Sequence, residues 1–385
     1  MKLIFDVDAV RPPMTGVGRY AYELAQGYAK RLPAESLRLF AAARWVPELE
    51  PRRRGSLAGP GLRRRFAALR VAGSVYRRVM PVLSGLRLRG AEDCVFHGPA
   101  FVLPPFGGVS VATIHDLSTF VHPEFHPPER VRHVARGVEH TLRHAAFLIT
   151  DSDHARQEVI ARFAWPAARI ATIPLGVGAE YRPRTAAELA PLLCELGLEA
   201  GGFALYVGTI EPRKNLGILL DAYESMPLAS RQQRPLVLAG YEGWRSEGIH
   251  ARIEAAQREG WARYLGYVDD ALLPALIAAA RVFVYPSRYE GFGLPVLEAM
   301  ASGVPVIAAN CSSIPEVTDA AGRLLDPDDV DGWREAITQL LEDDVMHEQM
   351  RKAGLAAAAR FSWNDTVDQT LACLQRVAKV AGGSA

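Results

Sequence analysis

Short apolar runs alternate with longer amphipathic stretches along nearly the whole chain, and this alternation limits the fold more than any other feature. Residues 2–7, 38–42, 94–97, 109–114, 147–150 and 170–173 read as strands. Helices are expected at 19–32 and 129–144, and another after Asp151-Ser-Asp153, whose polar side chains suit a cap. Beyond residue 200 the pattern repeats. Strands fall at 203–207, 235–239, 262–267, 281–285 and 305–309, with helices at 215–225, 249–259, 271–280, 295–301, 330–341 and 345–361. Near-continuous apolar strands between helices imply parallel sheets covered on both faces, one in each half. Ligands of such sheets lie beyond the carboxyl ends of the strands, so facing sheets place a site in the cleft between them.

At 385 residues the chain is too long for one ordinary core. Residues 174–183, with two glycines and two prolines, read as the connection between halves. The expected organisation is an α/β one: two facing Rossmann-like, doubly wound domains over 1–178 and 179–362. A C-terminal helix over 363–385 is expected to pack back on the first domain. The N-terminal apolar run is broken by Asp6 and Asp8, so it reads as a strand and not a signal peptide. No apolar stretch approaches the ~20 residues of a membrane span. Cys94, Cys194, Cys311 and Cys373 are scattered without a C-x-x-C pair, which argues against disulfides and zinc and fits a reducing cytoplasm.

A net charge of +1 hides an asymmetry. Residues 51–90 hold eleven arginines and no acidic residue, and subtracting them leaves −10 on the rest. Arg63, Arg70 and Arg77 recur every seven residues, so a helix here would carry a basic ridge beside Phe66, Leu69, Val75, Tyr76 and Val79. Such a segment suits an anionic membrane surface or an anionic acceptor, with Arg63, Arg64, Arg65, Arg77 and Arg78 as the docking residues. A solvated basic face is the competing reading. Few aromatics for stacking argue against nucleic acid as the partner.

The densest chemistry lies at 290–298, Glu-Gly-Phe-Gly-Leu-Pro-Val-Leu-Glu, between an apolar strand and a helix that Pro295 can start. A glycine loop at a helix N-terminus suits a phosphate or diphosphate. Glu290 at its entrance and Glu298 in the first helical turn can accept hydroxyl hydrogens, and a diphosphate flanked by two polyols is a nucleotide sugar. A plain βα turn, with Glu298 complementing the helix dipole, is the alternative. Gly208-Thr-Ile-Glu-Pro-Arg-Lys-Asn215 forms a second strand-to-helix turn, where Arg213 and Lys214 can neutralise a diphosphate. Pro12-Pro-Met-Thr-Gly-Val-Gly18 is a third, but Ala21 stands where a dinucleotide fingerprint needs glycine. His115-Asp116 ends a buried strand, a position that favours a site. His133, His140 and His144 share a helical face without an H-E-x-x-H order, and the scattered D-x-D triplets carry no metal assignment.

Together these residues resemble the family-4 retaining glycosyltransferases of the GT-B architecture. The marks are Gly16–Gly18, Thr113-Ile-His-Asp116, Asp151-Ser-Asp-His154, Ile173-Pro-Leu-Gly-Val177, Glu211-Pro-Arg-Lys-Asn215 and the E-x7-E pair Glu290/Glu298. The resemblance implies an acceptor-binding first domain and a donor-binding second. It implies that Glu290 contacts the donor sugar, Glu298 the nucleotide ribose, Arg213 and Lys214 the diphosphate, and that His115 lies by the transferred sugar. Gly16, Gly18, Thr209, Gly291, Phe292, Gly293 and Leu294 complete the donor surface. Many members carry arginine where this chain has Thr209, which leaves Arg213 as the candidate for that charge.

Asp6-Val-Asp-Ala-Val-Arg-Pro-Pro13 and Ile114-His-Asp-Leu-Ser118 bring the resemblance nearest to bacterial mannosyl- and rhamnosyltransferases of O-polysaccharide (O-antigen, lipopolysaccharide) assembly. That implies a retaining, metal-independent transfer of mannose or D-rhamnose from a GDP-sugar to a lipid-linked or oligosaccharide acceptor, without a cofactor, at the cytoplasmic membrane face. The rival readings are a phosphorylase or nucleotide-sugar epimerase of the same architecture, and a non-enzymatic anion- or nucleic-acid-binding protein.

Overall fold

The computed structural model describes residues 1–11, 14–49 and 80–382. The docking arginines 63, 64, 65, 77 and 78 lie outside the described residues. Two sheets carry the fold. The first has seven strands in the order β3-β2-β1-β4-β5-β6-β7: β1 (Leu3–Asp6), β2 (Leu37–Ala41), β3 (Arg44–Val46), β4 (Val95–Gly98), β5 (Val109–Ile114), β6 (Phe147–Thr150) and β7 (Ile170–Thr172). The second has six, in the order β10-β9-β8-β11-β12-β13: β8 (Ala204–Val207), β9 (Leu236–Ala239), β10 (Ala262–Gly266), β11 (Val282–Tyr285), β12 (Val306–Ala309) and β13 (Arg323–Leu325). Every pairing is parallel except β2 with β3.

Strands β3 and β13 have no counterpart in the sequence reading. Each is three residues long, too short for a period to register. The β2–β3 hairpin turns on Ala42 and Ala43, both at positive φ (49° and 59°) as a type I′ turn demands. Alanine there gives none of the usual Asn-Gly signal.

Alternation along β1 shows how the first sheet is covered. Leu3 and Phe5 face one buried cluster, with Val95, Val111 and Ile149, while Ile4 faces the other, with Phe96, Ala112 and Leu148. Helices α1 (Gly16–Arg31), α2 (Pro128–His144), α3 (Asp153–Phe163), α4 (Leu294–Ala301), α5 (Ile314–Thr318) and α6 (Trp363–Gly382) frame the cleft or its back. Helix α6 returns to the first sheet's domain. A β-carbon on Gly27 of α1 would overlap Val367, Arg31 pairs with Asp368 at 2.5 Å, and Thr366 donates to the Pro174 carbonyl at 2.8 Å.

Each sheet has a switch point, β1/β4 in the first and β8/β11 in the second. The loops leaving those strand ends are the ones that carry Gly16, Arg213 and Glu290. Topology thus delivers all three to the crevice where such sheets bind ligands.

Candidate active site

The β11–α4 loop is built to hold one carboxylate. Gly293 caps α4 at φ +111°, a conformation that L side chains rarely adopt. Ser313 staples the loop by donating to the carbonyls of Glu290 and Phe292, both at 2.9 Å. Glu290, 8% exposed, accepts from Lys214 Nζ at 2.5 Å and from the Tyr285 hydroxyl at 3.1 Å, both at Oε1. Its Oε2 lies 3.1 Å from Arg213, which also pairs with Glu211 at 2.8 Å. Burial alone would raise the Glu290 pKa; Arg213 and Lys214 overcome it and bring it down to about 2. Glu290 is therefore a buried, fully charged anion between two cations.

Helix α4 begins at Leu294, which puts Pro295 second in the helix and Glu298 beyond the first turn. The dipole reading of Glu298 is therefore corrected: its partner is a side chain, not the helix N-terminus. Glu298 forms a buried ion pair with Arg19 of α1, from the opposite domain. Arg19 also donates to the Tyr181 hydroxyl at 2.8 Å and pairs with Glu180 at 3.2 Å. Burial opposes the Arg19 charge, and Glu298 more than offsets it, so the pKa is raised and the guanidinium stays charged. Sequence reasoning missed Arg19, since no spacing links it to a partner 279 residues away.

The first domain brings His115 and Asp116 to the same cleft, and the glycine loop lies directly on them. A β-carbon on Gly291 would fall onto the His115 carbonyl oxygen. The imidazole itself is spent elsewhere: Nδ1 lies 2.6 Å from Asp151 Oδ2 and Nε2 lies 2.8 Å from the Pro99 carbonyl. With Asp151 ionised both partners are acceptors, and both ring nitrogens then donate. Burial works against a charged ring, but Asp151 raises the pKa. Asp116 accepts from the Ser118 backbone N–H at 2.9 Å and hydroxyl at 2.6 Å. Burial opposes its charge too, and Arg213 holds its pKa below the usual carboxylate range.

The remaining donor residues divide. Thr15 caps α1 by accepting from Gly18 N–H at 3.1 Å, and a side chain at Gly18 would meet the Ala9 carbonyl. Gly18 is thus needed by the fold itself. Gly16 has room for a methyl, with Leu294 the nearest neighbour at 3.8 Å. Thr209 offers its carbonyl to the Tyr206 hydroxyl at 3.2 Å and brings no charge to the cluster. Further bonds close the cleft. Ser152 Oγ donates to the Gly291 carbonyl at 2.7 Å, and the backbone N–H groups of Asp153 and His154, opening α3, donate to Glu316 of α5 at 2.8 and 2.7 Å. The Leu117 N–H donates to the Tyr289 hydroxyl at 3.1 Å. No group of metal-ligating side chains occurs among the described residues.

Comparison with known proteins agrees with this geometry. The model for "Glycosyl transferases group 1" matches residues 198–356. The chain is 43% identical over 377 residues, 96% of its length, to an O-antigen chain mannosyltransferase B of Escherichia coli, covering 98% of that protein. It is 31% identical over 67% of its length to the serotype-specific mannosyltransferase WbdA of Escherichia coli, spanning 32% of that larger protein. Anabaena HepE, solved with UDP-glucose, aligns at a TM-score of 0.70 and 19% identity over 97% of this chain and all of that one. WaaG, a glycosyltransferase involved in lipopolysaccharide biosynthesis, aligns at 0.67 and 17% identity over 99% of this chain and all of that one. These two establish the GT-B fold alone. With a full-length relative at 43% identity and the family model on residues 198–356, the chain belongs to the group 1 glycosyl transferases.

Proposed function

We propose that the protein transfers a mannosyl residue from GDP-mannose, with retention of configuration and without a metal, to a saccharide acceptor in O-antigen assembly. The observation that carries this is the Glu290–Arg213–Lys214 cluster at the end of β11. Two buried cations at the end of a parallel strand offer the kind of charge that a departing diphosphate needs, which supports this reading. The mannosyl choice rests on the full-length relative, a mannosyltransferase, and displaces the D-rhamnose alternative.

Glu290 is the group that contacts the donor sugar, and Glu298 binds the ribose after exchanging its Arg19 partner for the nucleotide. The leaving diphosphate assists deprotonation of the acceptor hydroxyl on the same face. His115, with both nitrogens occupied, acts through its position against the glycine loop.

The acceptor is a glycan on a lipid carrier, and the protein works at the cytoplasmic membrane face. No helix among the described residues is long and apolar enough to cross a membrane. Val82, Leu83 and Leu86 are exposed on the helix over 80–88, beside exposed Arg87 and Arg89, which supports peripheral docking. The test is a hydrolysis and transfer screen across GDP-, UDP-, ADP- and TDP-sugars with EDTA present. GDP-mannose should be turned over best. An isomerised nucleotide sugar formed from donor alone would instead indicate an epimerase.

A further inference from the structure

The cleft contains a buried histidine that the donor site does not use. His126 follows the short turn Pro123–Phe125 and immediately precedes Pro127, the N-terminal neighbour of α2. It is 2% exposed, yet among the described residues neither ring nitrogen has a hydrogen-bond partner. Buried polar groups are nearly always paired, so an orphaned ring points to a partner that is not among the described residues.

Its surroundings come from both domains. Trp244 of the second domain packs beside it, ring centroids 5.7 Å apart. The Trp244 indole donates to the Phe125 carbonyl at 2.6 Å, fixing the residue before His126, and the Arg130 guanidinium lies 5.0 Å from the indole centroid. The charges that act on the ring are those of Arg130, Arg213, Asp116 and Glu124. Trp244 belongs to the second domain and His126 to the first, so His126 sits where the two domains meet.

Burial, reinforced by Arg130 and Arg213, pulls the His126 pKa down to about 4. The ring is neutral in ordinary buffers and offers one N–H donor and one lone pair. That pairing is complementary to hydroxyl groups, which both donate and accept. An anion is better met by a charged ring, and a metal cation would sit against two guanidinium groups.

We infer that His126, with Asp116, forms a subsite for hydroxyl groups of the acceptor sugar, with Trp244 as the wall that holds the histidine in place. The inference rests on the glycosyl-transfer reading above and adds which residues recognise the acceptor.

The test uses the full chain, GDP-mannose and an octyl α-mannobioside as acceptor probe. His126→Phe keeps a ring but has no hydrogen-bonding atom, whereas His126→Gln keeps a donor and an acceptor. His126→Phe should raise the acceptor KM about tenfold, the loss of roughly one hydrogen bond, while the donor KM moves less than twofold. His126→Gln should recover part of the loss, and it decides by the same split if the phenylalanine variant fails to fold. An unchanged acceptor KM in His126→Phe, or a donor KM that rises equally, overturns the subsite. A wild type that turns over no nucleotide sugar fails earlier and separately, and the subsite falls with it.

Discussion

Glu290 is the carboxylate that Arg213 and Lys214 share. Replacing it with alanine leaves Lys214 without its carboxylate and Arg213 with Glu211 alone, and should destabilise the fold by about 3–5 kcal/mol. Glu290→Gln keeps the shape and a hydrogen-bond acceptor for Lys214 but loses the same charge, so it is destabilised too. Its kcat, read well below its Tm, should fall about 100-fold. Glu298→Gln should instead raise the donor KM about tenfold and leave kcat nearly intact, as measured by steady-state kinetics with GDP-mannose. Equal effects of both variants on KM alone would contradict the division of roles.

His97 makes a separate claim on pH. It is buried in a chain of hydrogen bonds, Nδ1 to the Tyr28 hydroxyl at 3.1 Å and Nε2 to Thr113 Oγ1 at 3.2 Å, and Thr113 reaches Tyr20 at 3.0 Å. Burial, with a smaller contribution from His115, depresses its pKa from 6.5 to about 3. The folded ring is neutral where the unfolded ring is protonated, so its stabilisation is present above pH 6.5 and lost as pH falls from there toward 3. Glu290, depressed from 4.5 to about 2, joins only below pH 4.5. Urea denaturation between pH 6.5 and 4.5 should therefore show falling stability. His97→Gln should flatten that slope by about 1.4 kcal/mol per pH unit, the weight of one proton.

At the scale of elements, the contact of α1 with α6 tests how the C-terminal helix is held. A β-carbon at Gly27 has no space beside Val367, so Gly27→Ala should cost about 1–3 kcal/mol by overpacking. Val367→Ala opens the space, and the double variant should be more stable than the two losses added together predict, a coupling that thermal unfolding measures directly. The elements were largely legible beforehand because buried parallel strands such as Val282–Tyr285 are short, apolar and flanked by turns. The Glu290 loop was legible for a related reason: its glycines, proline and two carboxylates are local. What escaped was non-local. The Arg19–Glu298 pair, the Glu316 carboxylate on the start of α3 and the orphaned His126 depend on two domains meeting, and no period or spacing encodes that. Strand β3 and its Ala42-Ala43 turn escaped because alanine at positive φ gives no turn signal.

At the scale of the whole molecule, the charge asymmetry has a mechanical meaning. The arginines of 51–90 belong to the first domain's half of the chain, while the carboxylates of the reacting cluster come mainly from the second. Under the proposed function, docking of this segment on an anionic bilayer brings the protein to its lipid-linked acceptor. Each basic residue near such a surface contributes about 1 kcal/mol. Neutralising Arg63, Arg64, Arg65, Arg77 and Arg78 together should release the protein from anionic vesicles in a sedimentation assay at low salt, with donor hydrolysis retained. Sedimentation equal to wild type would reduce the block to a solvated face.

The central claim is that this cleft transfers a mannosyl group from a GDP-linked donor with retention. The most direct measurement is proton NMR of the purified protein turning over GDP-mannose with a mannobioside acceptor in EDTA. The account predicts stoichiometric GDP and an α-linked product from the α-linked donor. A β-linked product, dependence on added metal, or no turnover of any nucleotide sugar would contradict it.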